Sequence, residues 1–199
     1  MFAAGNRWNV PRGIWIEGRI LGGRRRGLRA RLAAMVASGE LRRLMAGVYA
    51  PVDAEVSLYP ELEILAAKGS EGVVALESAL RLHDFTTALP STVYWAVPKG
   101  AQAPRVDFPC TVLRISGAAY DFGIERREIA EGLTVKVYSA AKTVADLFKF
   151  RSRVGVDVAI EALREGLAKR KFTVDQLVAC AKVDRVHAVI SPYVESILG

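Results

Sequence analysis

The sequence predicts an α+β protein made of two regions. Helical and strand-like patterns follow one another along its 199 residues, and its 51% hydrophobic content is ordinary for a folded chain. A turn and linker pattern after residue 52 separates the regions. We expect residues 1–52 to form a basic winged helix-turn-helix region. We expect residues 53–199 to form an α+β domain with a small, mostly antiparallel sheet and C-terminal helices.

Nearly all of the net positive charge lies in the first region. Residues 1–52 carry ten arginines, no lysine, and only Glu17 and Glu40, a net charge of +8 against +7 for the whole chain. Arginine is always charged, and its planar guanidinium matches phosphate oxygens and the major-groove edge of guanine. Two interpretations stay open, a surface that meets a polyanion and a solvated basic segment.

The clearest pattern in this region is a helix followed by a hairpin. Apolar residues recur at helical spacing, and Gly39 follows where a C-cap glycine belongs. They are Leu28, Leu32, Met35 and Val36. Strand-like runs on both sides of Ala46-Gly47 predict a two-stranded hairpin. A helix and hairpin in this order form the second half of a winged helix-turn-helix, in which the helix enters the major groove and the hairpin lies on the backbone.

The opposite face of this helix is small and flanked by arginines. It carries Ala30, Ala33, Ala34 and Ala37. Alanine allows close approach to DNA but forms no hydrogen bond to a base, whereas the arginines suit phosphate. The candidate DNA-binding residues here are Arg24, Arg25, Arg26, Arg29, Arg31, Arg42 and Arg43. Strand alternation sends the last two to opposite faces, so that one of them helps the fold. The competing interpretation is an amphipathic helix whose exposed arginines serve solubility.

The start of the chain does not fit a complete module. A winged helix needs two helices before the recognition helix, and residues 1–26 contain several glycines and Pro11, which break helices. There are three alternatives: the start of the chain is misassigned, the first residues are an appended segment, or the winged helix is degenerate. The second alternative depends on residues 10–13 and 16–19, which resemble engineered protease sites, and all three alternatives stay open.

The second region reads as helices, then strands, then helices. The predicted elements are helices at 58–68 and 75–83, strands at 92–97, 111–115, 126–129 and 133–138, helices at 139–151 and 156–169, a helix opened by the capping box at Thr173, and a last helix opened by Ser191-Pro192. One predicted helix carries a charged stripe. The stripe of Lys142, Asp146, Lys149 and Arg153 is either a weak partner-binding surface or a solvated face with ion pairs.

Enzyme chemistry has no recognisable residue set. The two cysteines and two histidines form no metal-ligand spacing, and no glycine-rich phosphate loop or nucleophile-base pair is visible. We therefore expect no catalytic residues, no metal and no cofactor. No apolar run reaches 18 residues and no secretory signal is seen, so we expect a cytoplasmic protein without a membrane partner.

The chain resembles the AbiEi-like antitoxin family, transcriptional regulators of type IV toxin–antitoxin systems. Residues 27–41 and 47–49 are similar to the recognition helix and wing of that family. The central match consists of Ser78-Ala79-Leu80 with His83 and Thr86, Leu89-Pro90, Val97-Pro98-Lys99-Gly100 and Pro104-Arg105. It continues through residues 137–151, Gly155-Val156-Asp157 and residues 161–164, so that the resemblance covers roughly residues 27–195.

The resemblance implies a function without catalysis. It implies a winged helix that binds double-stranded operator DNA and represses its own operon, and a C-terminal domain that counters a nucleotidyltransferase-like toxin. It makes Lys99 and Arg105 secondary DNA-binding candidates. The alternative is a protein-interaction module whose degenerate winged helix no longer binds DNA. An enzyme acting on nucleic acid is the weakest interpretation, because no catalytic set is visible.

Overall fold

The computed structural model describes residues 15–16, 27–54, 57–68, 70–130 and 133–199. They form two compact units. The first holds the described residues up to Ser70 together with residues 128–134, and the second holds residues 71–127 and 135–199. The division therefore falls after residue 70, whereas the sequence pattern places a boundary near residue 52.

The first unit contains the predicted helix and hairpin. Its elements are β1 (Trp15–Ile16), α1 (Leu28–Ala37), β2 (Leu41–Met45), β3 (Val48–Pro51) and α2 (Pro60–Ala67). The strands form an antiparallel sheet in the order β1-β3-β2. Leu32 of α1 packs with Leu41 and Tyr49 of the hairpin, and all three side chains are buried. This contact fixes which side of α1 faces the hairpin.

The complete winged helix-turn-helix stays a prediction. The two helices that it requires would fall within residues 1–14 and 17–26, which lie outside the described residues. What the described part contains is α1, the hairpin, and the pairing of β1 with β3. These elements show an α+β unit with a small antiparallel sheet.

A five-stranded mixed sheet lies mainly in the second unit, while its residues 128–130 and 133–134 belong to the first. Its strands are β4 (Val73–Val74), β5 (Val93–Pro98), β6 (Cys110–Ile115), β7 (Ile124–Ala130) and β8 (Leu133–Tyr138), in the order β6-β5-β4-β8-β7. β4 is antiparallel to β5 but parallel to β8, and β5 is parallel to β6. The expectation of a mostly antiparallel sheet is therefore wrong. The connection through residues 99–109 runs from the end of β5 back to the end of the sheet at which β5 begins, so that β6 starts there and runs parallel to β5.

Seven helices of the second unit are described. They are α3 (Leu76–Leu82), α4 (Ala118–Asp121), α5 (Ala140–Lys149), α6 (Arg151–Val154), α7 (Val156–Ala168), α8 (Val174–Val183) and α9 (His187–Leu198). The predicted capping box of α8 is confirmed, since Thr173 and Gln176 each accept a hydrogen bond from the backbone N–H of the other. Within the described ranges, no helix is long and apolar enough to cross a membrane.

The start of the last helix differs from the prediction. α9 begins at His187, and Pro192 lies inside it rather than in its first turn. Proline removes one helical hydrogen bond. The turn of α9 that precedes Pro192 is nevertheless held in place, because Val186 and Ile190, four residues apart, are buried in the core. Burial of these apolar side chains offsets the missing bond.

Candidate functional site

The first half of the candidate site is the outward face of α1. Leu32 is 2% exposed and Met35 is half-buried, whereas the four alanines of the predicted front are exposed. Val36 does not join the core as expected, since it is 36% exposed. The short hairpin reaches only one narrow strip of the helix. α1 therefore presents most of its circumference on its own unit's surface.

Charge on α1 is entirely positive. Arg29 and Arg31 are exposed, and no acidic residue lies in the first turn. The helix starts after Gly27, whose φ of 95° lies in the left-handed region that favours glycine. Among the residues that the structure describes, no side chain caps this end. The helix dipole adds a partial positive charge there. An anionic partner would therefore meet favourable electrostatics at this end of α1.

The wing carries the next two arginines. Arg42 lies opposite Ala50, and Arg43 lies opposite Tyr49, so that they point to different faces of the sheet. Both are nevertheless exposed. A register shift between Arg43 and Met45 inserts an extra residue into β2, and the Arg43 Nε donates a hydrogen bond to the Met45 carbonyl at 3.3 Å. Arg43 thus contacts the wing backbone without being buried.

The remaining DNA-binding candidates fall elsewhere. Arg24, Arg25 and Arg26 lie outside the described residues. Lys99 and Arg105 are exposed in the connection between β5 and β6 of the second unit. The backbone N–H of Lys99 donates to the carbonyl of Ile115 at 2.9 Å, which anchors the start of that connection to the end of β6. The structure therefore brings Arg29, Arg31, Arg42 and Arg43 into one unit and places the other two in a separate unit.

The charged stripe of α5 is not a solvated face. Lys142 and Asp146 have no exposed surface, and the Lys142 Nζ lies 2.7 Å from the Asp146 Oδ1. The Nζ also lies 3.0 Å from the Oδ2 of Asp184, which is at the end of α8. The prediction that Lys142 contacts a partner is corrected, because its side chain is buried inside its own unit. The interpretation as a solvated face is wrong for Lys142 and Asp146, which are buried, but the ion pair that it included between these two residues is confirmed.

The outer end of the stripe does reach the surface. The Lys149 Nζ is 3.1 Å from the Asp184 Oδ1, and its side chain is 28% exposed. Arg153 is exposed, and both cations lie 5.9 Å from the centre of the Phe150 ring. Partner binding by Lys149 and Arg153 stays a prediction. We call Lys142, Asp146, Lys149 and Asp184 the buried ion cluster.

Burial controls the protonation of groups in and around this cluster. It raises the pKa of Asp146 to about 7, despite the opposing attraction of Lys142. It also raises the pKa of the Tyr138 hydroxyl, whose ring lies 4.5 Å from the Lys142 Nζ, and that of the Cys180 thiol to about 11. The Tyr138 hydroxyl donates a hydrogen bond to the carbonyl of Tyr120 at 2.9 Å. Tyr138 and Cys180 are therefore neutral near pH 7.

Sequence reasoning missed Asp184. It is separated from Lys142 by 42 positions, so no local spacing connects them. One signal was available, because an aspartate at the C-terminal end of a helix faces the negative end of the helix dipole. A carboxylate in that place needs cations nearby, and here Lys142 and Lys149 provide them.

His83 has a structural contact that accounts for its burial. Its Nε2 lies 2.6 Å from the carbonyl oxygen of Tyr138, to which the Thr143 hydroxyl also donates at 3.1 Å. Burial lowers the pKa of His83 and keeps the ring neutral. Among the described residues, no group of three or more histidine, cysteine, aspartate and glutamate side chains is placed to hold a metal ion.

Comparison with known proteins does not assign the chain to a family. No family model matches it, and no curated protein does. The resemblance to AbiEi-like antitoxins therefore stays a prediction that depends on the motifs themselves.

Proposed function

We propose that this chain is a DNA-binding transcriptional autorepressor and antitoxin of the AbiEi-like type, acting without catalysis in the cytoplasm. One observation carries the DNA-binding part of the proposal. α1 exposes Arg29 and Arg31, and the hairpin that follows it exposes Arg42 and Arg43. A helix and wing that are both arginine-rich fit a duplex, whose grooves and phosphates are engaged by these two elements.

The chemistry of this surface favours phosphate over bases. Arginine guanidinium groups form bidentate hydrogen bonds with phosphate oxygens. The exposed alanines allow α1 to approach a groove closely but give no hydrogen bond to a base edge. We therefore expect strong salt dependence and modest discrimination between operator and unrelated sequence.

The antitoxin part rests on the resemblance of the second unit. Its motifs between residues 78 and 105 and between 137 and 164 are those that resemble the family. The expected partner is a nucleotidyltransferase-like toxin. Co-expression of this chain with such a protein from the neighbouring gene should restore growth. Growth arrest despite well-expressed, folded chain would contradict the antitoxin proposal.

A salt titration tests the DNA-binding part. Binding to a DNA duplex from the region upstream of the gene that encodes this chain is measured by fluorescence anisotropy, between about 50 and about 200 mM salt. Each lost phosphate contact should reduce the slope of log K against log salt by about 1. We expect a reduction of about 1 for Arg42→Gln with Arg43→Gln, because the two side chains point to different faces of the sheet and one of them meets the DNA backbone. We also expect a reduction when Arg24, Arg25 and Arg26 are neutralised.

The matched control removes two charges from the second unit. Arg164→Gln with Lys182→Gln alters exposed side chains on α7 and α8. It should leave the salt slope close to that of the wild type. An unchanged slope in the wing variant, or an equal reduction in the control, would contradict the assignment of phosphate contacts to the wing. A large ratio between operator and scrambled DNA would show that bases are read by another surface.

The second candidate function is a protein-interaction module with a degenerate winged helix. The exposed alanine face of α1 favours it, because small side chains also suit close packing against a partner helix. The same titration separates the two functions. A folded chain that binds neither upstream nor scrambled DNA at the lowest salt would favour this second candidate.

A further inference from the structure

The five-stranded sheet ends in two edge strands, β6 and β7. An edge strand offers a row of backbone N–H and C=O groups to any other strand, and proteins protect such edges with charged side chains. β7 carries a run of four charged residues at positions 125–128. β6 carries only one charged residue, Arg114. β6 is therefore the edge that has the weaker protection against pairing with another strand.

The single charged side chain of β6 is held by its own unit. The Arg114 Nη1 donates a hydrogen bond to the carbonyl oxygen of Ala101 at 2.6 Å, in the connection between β5 and β6. The first three residues of the strand, Cys110, Thr111 and Val112, are uncharged and half-buried. β6 thus presents a neutral, partly exposed stretch of strand along this edge.

The pairing with β5 decides which backbone groups of β6 face outward. The two strands are parallel, and the carbonyl oxygens of Pro109 and Ile115 accept hydrogen bonds from the N–H groups of residues 93 and 99, at 3.0 and 2.9 Å. Alternate residues of a strand in a parallel pair direct both backbone groups to the same neighbour. The odd-numbered residues of β6 therefore face β5, and the even-numbered residues face away from it. These outward residues are Cys110, Val112 and Arg114.

The outward backbone groups are available to a partner strand. Within the described ranges of the chain, the N–H and C=O groups of the three outward residues form no backbone hydrogen bond. Each residue offers one donor and one acceptor, so the edge offers three of each. A strand that satisfies all of them must present the complementary groups at the same two-residue spacing.

A second copy of β6 meets this requirement in one register. A two-fold axis perpendicular to the sheet at Val112 places the two strands antiparallel and keeps each face of the sheet continuous. Val112 then lies opposite Val112 of the second copy, and Cys110 lies opposite Arg114. Opposite residues of this kind exchange both of their hydrogen bonds, so every outward group is paired. The adjacent two-fold registers, centred on residue 111 or 113, leave one outward residue of each copy outside this set.

The side-chain pairs of this register are also compatible. Two β-branched valines face each other at the axis, which is a favourable pair on a sheet. Like charges directly opposite each other are destabilising, but here each Arg114 faces an uncharged Cys110. Thr111 lies opposite Leu113 of the second copy, so that no charged pair of the same sign occurs along the strand.

We propose that β6 is a dimerisation edge, at which two copies of this chain join their five-stranded sheets into one continuous sheet about a two-fold axis at Val112. Two-fold dimers are the commonest closed assemblies. The outer edges of the joined sheet are then the two β7 strands, whose charged residues oppose further growth. The inference is independent of the proposed DNA binding and of the toxin.

Sedimentation equilibrium of the full chain, over about 1 to about 100 μM, tests the dimer. We expect the mass of two chains at the upper end of this range. Val112→Pro removes an outward N–H, and an edge strand tolerates proline where its N–H faces solvent, so this variant should have half the wild-type mass. Val112→Lys places two ammonium groups opposite each other at the axis and should also be monomeric. The matched control Val112→Thr keeps the N–H and a β-branched side chain, and should stay dimeric.

Oxidative crosslinking tests the register. In a Cys110→Ser background, Val112→Cys should form a disulfide between copies, because the Cα atoms of a hydrogen-bonded antiparallel pair are about 5.5 Å apart, within the range that a disulfide spans. The control is Arg126→Cys in the same background, which places an exposed thiol on β7 and should not crosslink under the same mild oxidation. Wild-type chain should not crosslink through Cys110, which faces Arg114 in this register.

Three results would overturn the proposal. The first is a wild-type monomer over the whole concentration range, which would leave this edge for a strand of a different protein. The second is a dimer of undiminished affinity in folded Val112→Lys, because the contact would then lie elsewhere. The third is a disulfide through Cys110 in place of one through Val112→Cys. Thermal unfolding shows which variants fold, and Val112→Lys keeps the test decisive if Val112→Pro does not.

Discussion

Lys142→Met isolates the energetic role of the buried ion cluster. The substitution removes the ammonium group and keeps a long apolar side chain. In the wild type, the Nζ lies 2.7 Å from the Asp146 Oδ1 and 3.0 Å from the Asp184 Oδ2, with no exposed surface. The variant leaves Asp146 and Asp184 buried without the ammonium group that both of them contact, with Lys149 as the remaining cation of the cluster.

The expected loss of stability is large for a single substitution. Removal of one partner from a buried ion pair costs about 3–5 kcal/mol. Since Lys149 stays 3.1 Å from Asp184, we expect the lower end of that range, about 3 kcal/mol. For a chain of this length, that corresponds to a fall of roughly 6–12 °C in Tm.

Thermal and urea unfolding followed by circular dichroism measure this loss. The matched control is Lys169→Met. Lys169 also pairs with an acid four residues away, since its Nζ lies 2.6 Å from the Glu165 Oε1, but its side chain is 60% exposed. An exposed pair at this spacing contributes about 0.3–0.5 kcal/mol, so the control should change stability very little.

A double variant separates uncompensated charge from lost packing. Lys142→Met with Asp146→Leu removes both members of the closest pair, and replacement of a whole buried pair by apolar residues is often neutral. The double variant should be more stable than Lys142→Met alone. The reasoning fails if Lys142→Met lies within about 1 kcal/mol of the wild type, or costs no more than Lys169→Met.

Three further substitutions test individual contacts. Burial lowers the pKa of His83, so the neutral ring contributes its full stabilisation above about pH 6.5, and the folded state loses stability as the pH falls below that value. His83→Gln should therefore reduce the loss of unfolding free energy at acid pH, as measured by urea unfolding. The same loss in variant and wild type would contradict this. Gly72→Ala would place a Cβ against the Trp95 Nε1 and 2.8 Å from the Ala96 carbonyl oxygen, and should cost about 1–3 kcal/mol or prevent folding, whereas an unchanged Tm would exclude the clash. Thr173→Ala removes the side-chain acceptor for the Gln176 N–H and should cost about 1 kcal/mol in thermal unfolding; no loss would show that the cap is replaced.

Local patterns predicted most elements of the second unit. Periodicity located α5 and α7, and the capping box located the start of α8, because these signals depend on residues three or four positions apart. The same local logic failed for β4. A strand of only Val73 and Val74 carries no period, and its place in the sheet is set by its pairing with β5 and β8.

The sequence by itself determined the concentration of arginine in the first region, the order of helix and hairpin there, and the amphipathic helices of the second. Each is a property of neighbouring residues. The mixed sheet, the buried state of Lys142 and its contact with Asp184 were decided only by tertiary structure. A charged stripe looks the same on a solvated helix and on one covered by α8, because burial depends on what a distant segment brings against it.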